Sequence, residues 1–389
     1  MPNSSTTSSV DATAFDLVGK AGLGGLAISD DWQTLYVMNL FDQNLYAIEI
    51  GYPAKPGNLI TNADITVYSL PSLTSNNGAI RPFALSFYRG KLYVGAVASG
   101  ESGGTASDLR AYVLEFDHAT RVFSASPIMN FALNYDKGEV HNTADPTIGN
   151  WETWTSLWSG LHEMGTTTAG TRVARPQPWL TDIKFTDEGD LVIGFCDRTG
   201  HQTGYENRST NSGSSALYSG YIGGDILRAK KISGVWTLES DGSVGSLSGC
   251  GVRNDEGPGG GEFYCDERYS TIHDETYMGS SAIVPGNNQV VATVMDPLDV
   301  WTGGFAWFSN TTGGAIKKYE IYNTTDDSGA TFGKANGLGT IEVQCLASPL
   351  EIGNRVWRDS NENGKQEPNE SGIANVTVQL LRDASVIAT

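Results

Sequence analysis

The sequence predicts an all-β protein in which a β-propeller with long loop insertions is followed by a second, smaller β unit. Three observations support this prediction. Glycine supplies 47 of the 389 residues, while the chain keeps 9 Trp, 16 Tyr and 13 Phe. A pattern of strands and turns recurs four times before residue 349. After Pro349 the composition changes, and a strand-rich segment with an Asn-rich loop follows.

The composition favours a folded chain of many short strands. Disordered segments lack the large apolar residues that a core needs, so the aromatic content excludes disorder for the body of this protein. The glycine content is well above the usual value of roughly 7%. Short strands joined by glycine-containing turns explain both features.

The repeating pattern is an apolar strand, a turn with Asp, Gly or Asn, and two further strands. The first copy is LGGLAISDDWQTLYVMNLFDQNLYAIEI (23–50), and later copies begin with RPFALSF, WLTDIKF and GSSAIVP. Such turns between apolar strands are typical of hairpins. Repeated units of three or four antiparallel strands indicate a propeller. A β-sandwich is the alternative architecture, but it does not usually repeat such a pattern four times.

The domain boundaries follow from the limits of the repeat. Residues 1–14 are polar and rich in Ser and Thr, and we predict that they are disordered. Residues 15–348 form the propeller-like domain, and residues 349–389 belong to the second unit. Two insertions, at about residues 118–178 and 241–279, interrupt the blades. We expect them on a loop face of the propeller, where binding sites usually lie.

Closure of the propeller leaves two interpretations open. FDLVGK (15–20) and GLGTIEVQC (337–345) are each predicted to be a single strand. Together they could form a fifth blade that is shared between the two ends of the chain. Alternatively, blades that precede Met1 are missing. A propeller usually has four to eight blades, so both interpretations are possible.

Charge and hydropathy limit the classes of binding partner and the cellular locations that we expect. The net charge of -19, from 44 acidic and 25 basic side chains, disfavours nucleic acid and anionic lipid and favours cations. No run of eighteen apolar residues is present, so no membrane span is predicted. The N-terminal segment lacks the features of a secretion signal. We expect that a signal was removed and that the protein is extracellular or on the cell surface; an intracellular chain is the alternative.

The four cysteines are Cys196, Cys250, Cys265 and Cys345. Cys250 and Cys265 flank a glycine-rich loop and could form a disulfide in an oxidising compartment. The alternative is that they are buried free thiols. The absence of any Cys-x-x-Cys spacing disfavours a zinc ribbon.

DSNENGKQEPNE (359–370) fits the calcium-loop template Asp-x-Asn-x-Asn-Gly-x5-Glu at every fixed position. Asp359, Asn361 and Asn363 would bind Ca²⁺ through side-chain oxygens. Lys365 would contribute its backbone carbonyl, and Glu370 would bind through both carboxylate oxygens. Apolar residues alternate on both sides of the loop, which predicts strands and a structural role rather than a helix-loop-helix sensor. Two Asn in place of Asp lower the ligand charge and suit millimolar extracellular calcium. A plain turn without an ion is the alternative.

The longer phrase IGNRVWRDSNENGKQEPNESGIANVTVQLL (352–381) resembles the start of an SdrD B-like repeat. Such repeats are immunoglobulin-like β-sandwich domains that bind calcium and occur in tandem on bacterial surface proteins. Phrases such as GPGGGEFY and TFGKANGLG resemble, less specifically, the blade-containing region that precedes these repeats in large secreted bacterial proteins. The match covers about forty residues of this chain, so we expect the chain to stop inside the domain.

The resemblance implies a secreted or surface-attached bacterial protein with a structural or adhesive role. The propeller would present surfaces for binding or self-assembly, and the repeat would form a calcium-stiffened stalk. Calcium, copies of the same chain and surface glycans are the partners that this interpretation implies.

An extracellular hydrolase or lyase that acts on glycans is the alternative function. HDET contains His273, Asp274 and Glu275, which could act as acid and base or as metal ligands. Arg81 and Asp182 occupy corresponding positions in other blades, and convergence of these residues at one mouth of the channel would indicate a catalytic site. Alternatively, polar residues at the starts of blades bond to strand ends and connect one blade to the next.

WETWTSLW contains Trp151, Trp154 and Trp158. Three indoles could stack on sugar rings in a carbohydrate site. Their spacing of three and four residues also fits one face of a short helix that packs on the propeller.

Overall fold

The computed structural model of the protein describes residues 10–142, 146–167, 170–211, 213–323, 333–344, 356–358, 370–382 and 385–388. The chain divides into two units, one ending at Val343 and the other beginning at Gln344. The α-helices are short: α1 (Ala12–Leu17) and α2 (Thr199–Thr203). Single turns of 3-10 helix occur at Gly57–Leu59, Asn62–Asp64, Ala106–Asp108, Pro146–Gly149 and Trp158–Gly160. No helix among the described residues is long and apolar enough to cross a membrane.

The first two blades follow the predicted repeat. Blade 1 consists of β1 (Leu23–Ile28), β2 (Thr34–Asn39), β3 (Asn44–Glu49) and β4 (Ile65–Ser69), paired in that order. Blade 2 consists of β5 (Ile80–Tyr88), β6 (Lys91–Ala98), β7 (Arg110–Asp117), β8 (Val122–Phe123) and β9 (Met129–Ala132). Both β8 and β9 pair with β7. All pairs in these blades are antiparallel.

Residues 162–238 form a side sheet and blade 3. Their strands are β10 (His162–Thr167), β11 (Gly170–Ala174), β12 (Pro178–Phe185), β13 (Leu191–Asp197), β14 (Asn207–Arg208), β15 (Leu217–Gly220), β16 (Asp225–Ile232) and β17 (Val235–Leu238). Blade 3 has the order β12-β13-β16-β17, and the side sheet has the order β10-β11-β15-β14. The first predicted insertion thus supplies β10 and β11 of the side sheet, whereas β14 and β15 come from residues 198–224, which connect β13 to β16 within blade 3.

The second insertion and blade 4 complete the first unit. A small hairpin consists of β18 (Ser243–Val244) and β19 (Leu247–Ser248). Blade 4 consists of β20 (Tyr277–Val284), β21 (Gln289–Met295), β22 (Thr302–Ser309) and β23 (Ala315–Asn323), paired in that order.

The blades pack as a β-propeller around a channel. The innermost strands β1, β5, β12 and β20 lie side by side in the order of the chain. Glycine at position 25 permits the close approach of β1 and β5, because a Cβ there would lie 2.7 Å from the backbone nitrogen of Leu85. The main core joins blades 1 to 3, and a second core between blades 3 and 4 contains Ile226, Tyr277 and Phe308. The predicted all-β propeller with insertions is confirmed.

The predicted strand at FDLVGK is wrong, because Phe15–Leu17 belong to α1. The Asp11 carboxylate caps this helix by accepting from the backbone N–H of Ala14 at 2.8 Å, and Phe15 packs against Trp158. The helix begins at Ala12, inside the segment 1–14 that we predicted to be disordered. Residues 1–9 lie outside the described residues.

The predicted strand at GLGTIEVQC is also not formed by its described residues, 337–344. Instead of pairing through a backbone ladder, this segment lies along the channel, where the backbone N–H of Ile341 donates to Ser280 Oγ at 3.0 Å. The fifth blade shared between the two chain ends is therefore not present among the described residues.

The disulfide between Cys250 and Cys265 is formed, with their Cα atoms 5.5 Å apart. It closes the glycine-rich loop of the second insertion, in which Gly251 and Glu262 form an antiparallel bridge. Cys196 is a buried free thiol, and Cys345 lies outside the described residues.

The second unit contains paired strands. A hairpin is formed by β24 (Leu380–Arg382) and β25 (Ser385–Ala388). An antiparallel bridge also joins Trp357 to Gly372.

Candidate functional site

The ends of the predicted calcium loop are held together by an isolated antiparallel β-bridge between Trp357 and Gly372. The backbone N–H of Arg358 donates to the Ser371 carbonyl at 3.1 Å, and that of Ile373 donates to the Val356 carbonyl at 2.7 Å. The residues next to the loop are therefore extended and paired, as in a strand-loop-strand arrangement. A helix-loop-helix sensor would place helices at both ends.

One of the five predicted calcium ligands is described. Glu370, at the last position of the template, is 3% exposed. The other four, Asp359, Asn361, Asn363 and Lys365, lie outside the described residues. Calcium coordination by this loop therefore remains a prediction from the sequence.

Asp182 lies in the central channel, a cavity of about 450 Å³ between the innermost strands. Its carboxylate accepts from both the backbone N–H and the hydroxyl of Ser281 in blade 4. Lys184 lies 3.6 Å from Asp182 and 3.1 Å from Glu342. These polar groups connect blade 3 to blade 4 and to the segment along the channel. This is the alternative role considered above, in which polar residues at the starts of blades connect one blade to the next.

Arg81 lies elsewhere and has different partners. Its guanidinium forms an ion pair with Glu101, which also pairs with Lys20 at 2.6 Å. The guanidinium also faces the Trp154 ring at 5.9 Å. Arg81 therefore helps to attach the N-terminal segment to blade 2.

His273 is fully buried in a polar cluster outside the channel. Its Nδ1 lies 2.5 Å from the Val140 carbonyl, and its Nε2 lies 3.4 Å from Asp296. Asp296 also forms a buried ion pair with Lys334. Burial lowers the pKa of His273, although Asp296 opposes the shift. The cluster connects the first insertion to blade 4.

Arg81, Asp182, His273 and Glu275 therefore do not converge at one mouth of the channel, which is the arrangement that the alternative catalytic site would require. Of these four residues, Asp182 lines the channel cavity and the other three do not. Asp274 is half-buried, and its backbone N–H donates to the Glu139 carbonyl at 3.0 Å. The HDET sequence packs against the first insertion instead of reaching the channel.

Glu275 belongs to a buried acidic cluster with Glu262 and Glu267. Burial raises the pKa of all three carboxyl groups well above the usual range, and repulsion from neighbouring carboxylates, among them Asp225, raises it further. Sequence reasoning singled out Glu275 but not the other two. The available signal was GEFYCDER, in which Glu262 precedes and Glu267 follows the disulfide-bonded Cys265.

The three tryptophans of WETWTSLW pack inside the protein. Trp151, Trp154 and Trp158 are 1%, 2% and 6% exposed. Trp154 packs against Trp179, and Trp158 packs against Tyr218. Residues 151–157 are not helical, so the helix interpretation is wrong. The rings are also not available to stack on sugars.

Comparison with known proteins identifies the C-terminal segment. Residues 350–389 match the family model of the SdrD B-like domain. The chain is 31% identical to Colossin-A of Dictyostelium discoideum over 374 residues, which are 93% of this chain and 3% of Colossin-A. It thus spans a small part of this relative. Serine-aspartate repeat-containing protein D of Staphylococcus aureus (strain MW2) is 34% identical over 77 residues, covering 19% of this chain and 6% of that protein.

The expectation of a bacterial protein is wrong, because the relatives that match the propeller region are not bacterial. Colossin-A, which matches nearly the whole chain, is from Dictyostelium discoideum, whereas the staphylococcal protein matches a short part. Among solved structures, an ulvan lyase of polysaccharide lyase family PL25 is similar with a TM-score of 0.35 and 8% identity, covering 76% of this chain and 55% of that chain. A similarity at this level identifies no chemistry.

Proposed function

We propose that the chain is part of a secreted or cell-surface structural protein. In this proposal the propeller presents a binding surface, and the SdrD B-like segment is a connection that calcium stiffens. The observation that carries the proposal is the calcium-loop template of residues 359–370, which is closed by strand pairing inside a segment that matches the SdrD B-like domain. The disulfide between Cys250 and Cys265 supports an oxidising location.

The position of the loop gives calcium a mechanical role. Trp357 and Gly372 pair directly outside the template, so an ion held by residues 359–370 would fix both strands at that end. This loop has Asn at its second and third ligand positions, where other calcium loops have Asp. Fewer carboxylate ligands give a lower calcium affinity. We therefore expect binding at the millimolar calcium concentrations found outside cells.

Limited proteolysis of the full chain tests this role. We expect calcium to slow cleavage within residues 350–389 of the wild-type protein, relative to chelator, and Asp359→Ala to abolish that protection. Mass spectrometry locates the cuts, which separates this segment from the propeller. Asp383→Asn changes an acid outside the template and should retain the protection. Equal cleavage of the wild-type segment with and without calcium would contradict the proposal.

A groove on the propeller supplies the proposed binding surface. It has a volume of about 590 Å³ and includes apolar side chains from the first and last blades and from the segment that follows. Leu26, Ile28 and Trp32 are 59%, 42% and 60% exposed. Contiguous exposed apolar patches are typical of protein–protein interaction sites. We therefore assign the groove to a protein partner and propose a second copy of the chain.

Light scattering over a concentration series tests the groove. We expect the wild-type protein to self-associate and the double variant Leu26→Ser, Ile28→Ser to dissociate at least tenfold more readily. Val122→Ser is the matched control, because Val122 is 60% exposed on β8. A wild-type protein that stays monomeric at all concentrations would contradict self-association, as would a control variant that dissociates equally.

The glycan hydrolase or lyase has no comparable support. His273 and Glu275 are both 0% exposed, whereas a catalytic acid or base must lie within hydrogen-bond reach of its substrate. Their partners are other parts of the insertions and blade 4.

A further inference from the structure

We propose that Glu262, Glu267 and Glu275 bind a divalent cation inside the propeller unit, and that Ca²⁺ is the ion that fits them best. This site is separate from the predicted loop of the second unit. It lies where the second insertion meets the start of β20.

The three carboxylates converge in the interior. One carboxylate oxygen from each residue lies within 4.8 Å of those from the other two. The residues are 3%, 1% and 0% exposed. Calcium binds oxygen at 2.3–2.6 Å, so two ligands on opposite sides of one ion are separated by about 5 Å. The observed spacing therefore accommodates one ion between the three groups.

The cluster has unsatisfied oxygens that point to a ligand. Both carboxylate oxygens of Glu275, and Oε2 of Glu267, have no hydrogen-bond partner among the described residues. Glu262 accepts from the Asn254 amide at 2.8 Å, and the other Glu267 oxygen accepts from the Ile226 backbone N–H at 3.4 Å. A buried carboxylate is costly unless it is paired or coordinates a metal.

The protein supplies too little positive charge to balance the three carboxylates. Among the described residues, no Lys, Arg or His forms an ion pair with any of them. Burial raises the pKa of Glu267 and Glu275, and the charge of Lys137 only opposes that rise. That ammonium is buried, donates to the Gly138 carbonyl at 3.1 Å and faces the Trp151 ring. A divalent cation would supply the missing charge.

Two glycines leave space for the Glu275 side chain. A Cβ at Gly138 would lie 2.8 Å from Glu275 Oε1, and a Cβ at Gly223 would lie 2.7 Å from the Cβ of Glu275. Gly138 also has a φ of +98°, which side chains rarely permit. The backbone of the first insertion at Gly138, and the backbone just before β16 at Gly223, thus pack closely against Glu275.

The ligand type selects a hard cation. The cluster offers carboxylate oxygens and neither imidazole nor thiolate, and such sites favour calcium, magnesium or manganese over zinc or copper. Magnesium requires near-ideal octahedral geometry at about 2.0–2.1 Å, whereas calcium accepts longer and more variable distances. Three glutamates from one irregular insertion suit the more tolerant ion.

The experiment uses the full chain with Asp359→Ala, so that the loop of the second unit does not contribute. We expect this parent protein to bind one Ca²⁺ per chain after dialysis against calcium, measured by inductively coupled plasma mass spectrometry. Addition of Glu275→Gln should remove the bound calcium and the calcium-dependent rise in Tm. In chelator at neutral pH, the same variant should have a higher Tm than the parent, because folding no longer has to bury and protonate this carboxylate.

Glu239→Gln is the matched control. Glu239 is 1% exposed, but its two oxygens accept from the backbone N–H groups of Phe263 and Arg228. This variant should keep one Ca²⁺ per chain. A parent that binds no calcium, or a Glu275→Gln variant that keeps the ion, would overturn the proposal. If Glu275→Gln does not fold, Glu267→Gln decides by the same criteria, and binding of Mg²⁺ or Mn²⁺ in preference to Ca²⁺ would overturn the choice of ion.

Discussion

At the scale of single residues, the sequence identified reactive side chains but not their partners. Asp182 was a candidate for the alternative catalytic site, and it bonds to Ser281 in the next blade. Glu275 was a candidate for the same site together with His273, but its carboxylate meets Glu262 and Glu267. The contact of Asp182 with Ser281 depends on the packing of β12 against β20, and the partners of Glu275 lie in the second insertion, which has no periodic pattern to predict its course.

Asp197 is a buried acid for which the structure predicts a pH effect on stability. It is 0% exposed, and Oδ1 accepts from the backbone N–H groups of Gln177 and Thr199. No described residue donates to Oδ2. Burial raises the pKa of Asp197 to about 7, against the opposing effect of these hydrogen bonds.

The sign of the pH effect follows from this raised pKa. Between pH 3.8 and about 7, the folded state keeps a proton that the unfolded state releases, so the free energy of unfolding falls as pH rises. At 1.36 kcal/mol per pKa unit, the loss is on the order of 4 kcal/mol. We expect Asp197→Asn to remove this component in urea denaturation across that range. Asp64→Asn should leave it intact, since the Asp64 pKa is lowered to about 2. Parallel pH profiles for wild type and Asp197→Asn would contradict the assignment.

At the scale of elements, alternating apolar residues and turn residues predicted the blades well. The repeat that begins at Leu23 became β1 to β3, and the later copies became the inner strands of blades 2, 3 and 4. The two terminal segments failed because each is short and its apolar spacing fits more than one structure. The missed signal for α1 was Asp11, which caps the helix.

The disulfide is the second feature that acts at this scale. Cys250 and Cys265 are fifteen residues apart, and closing a loop of about that size stabilises a protein by about 3 kcal/mol. Cys265 also lies between Glu262 and Glu267 in the chain, so the bridge restrains two of the proposed metal ligands.

We expect the double variant Cys250→Ser, Cys265→Ser to lose about 3 kcal/mol of unfolding free energy and to bind calcium more weakly at the acidic cluster. Guanidinium denaturation and calcium titration measure the two effects. Dithiothreitol should destabilise the wild-type protein to the same degree and leave the variant unchanged. A wild-type protein whose stability does not respond to reduction would contradict this role.

At the scale of the whole molecule, charge, disulfide and calcium chemistry point to the same environment. The chain has a net charge of -19. Divalent cations and salt reduce the repulsion among its acidic groups. The predicted loop and the buried glutamates would use calcium in two different ways, one to stiffen a connection and the other to neutralise an interior. Both require an environment rich in calcium, as the disulfide requires an oxidising one.

Immunolabelling of cells that produce the protein tests the surface location most directly. Antibodies against residues 10–343 are applied to intact and to permeabilised cells, with a cytosolic protein as the control for membrane integrity. A secreted or surface structural protein predicts labelling of intact cells, or recovery of the protein from the medium. Labelling that appears only after permeabilisation, with none of the protein in the medium, would contradict the proposed function.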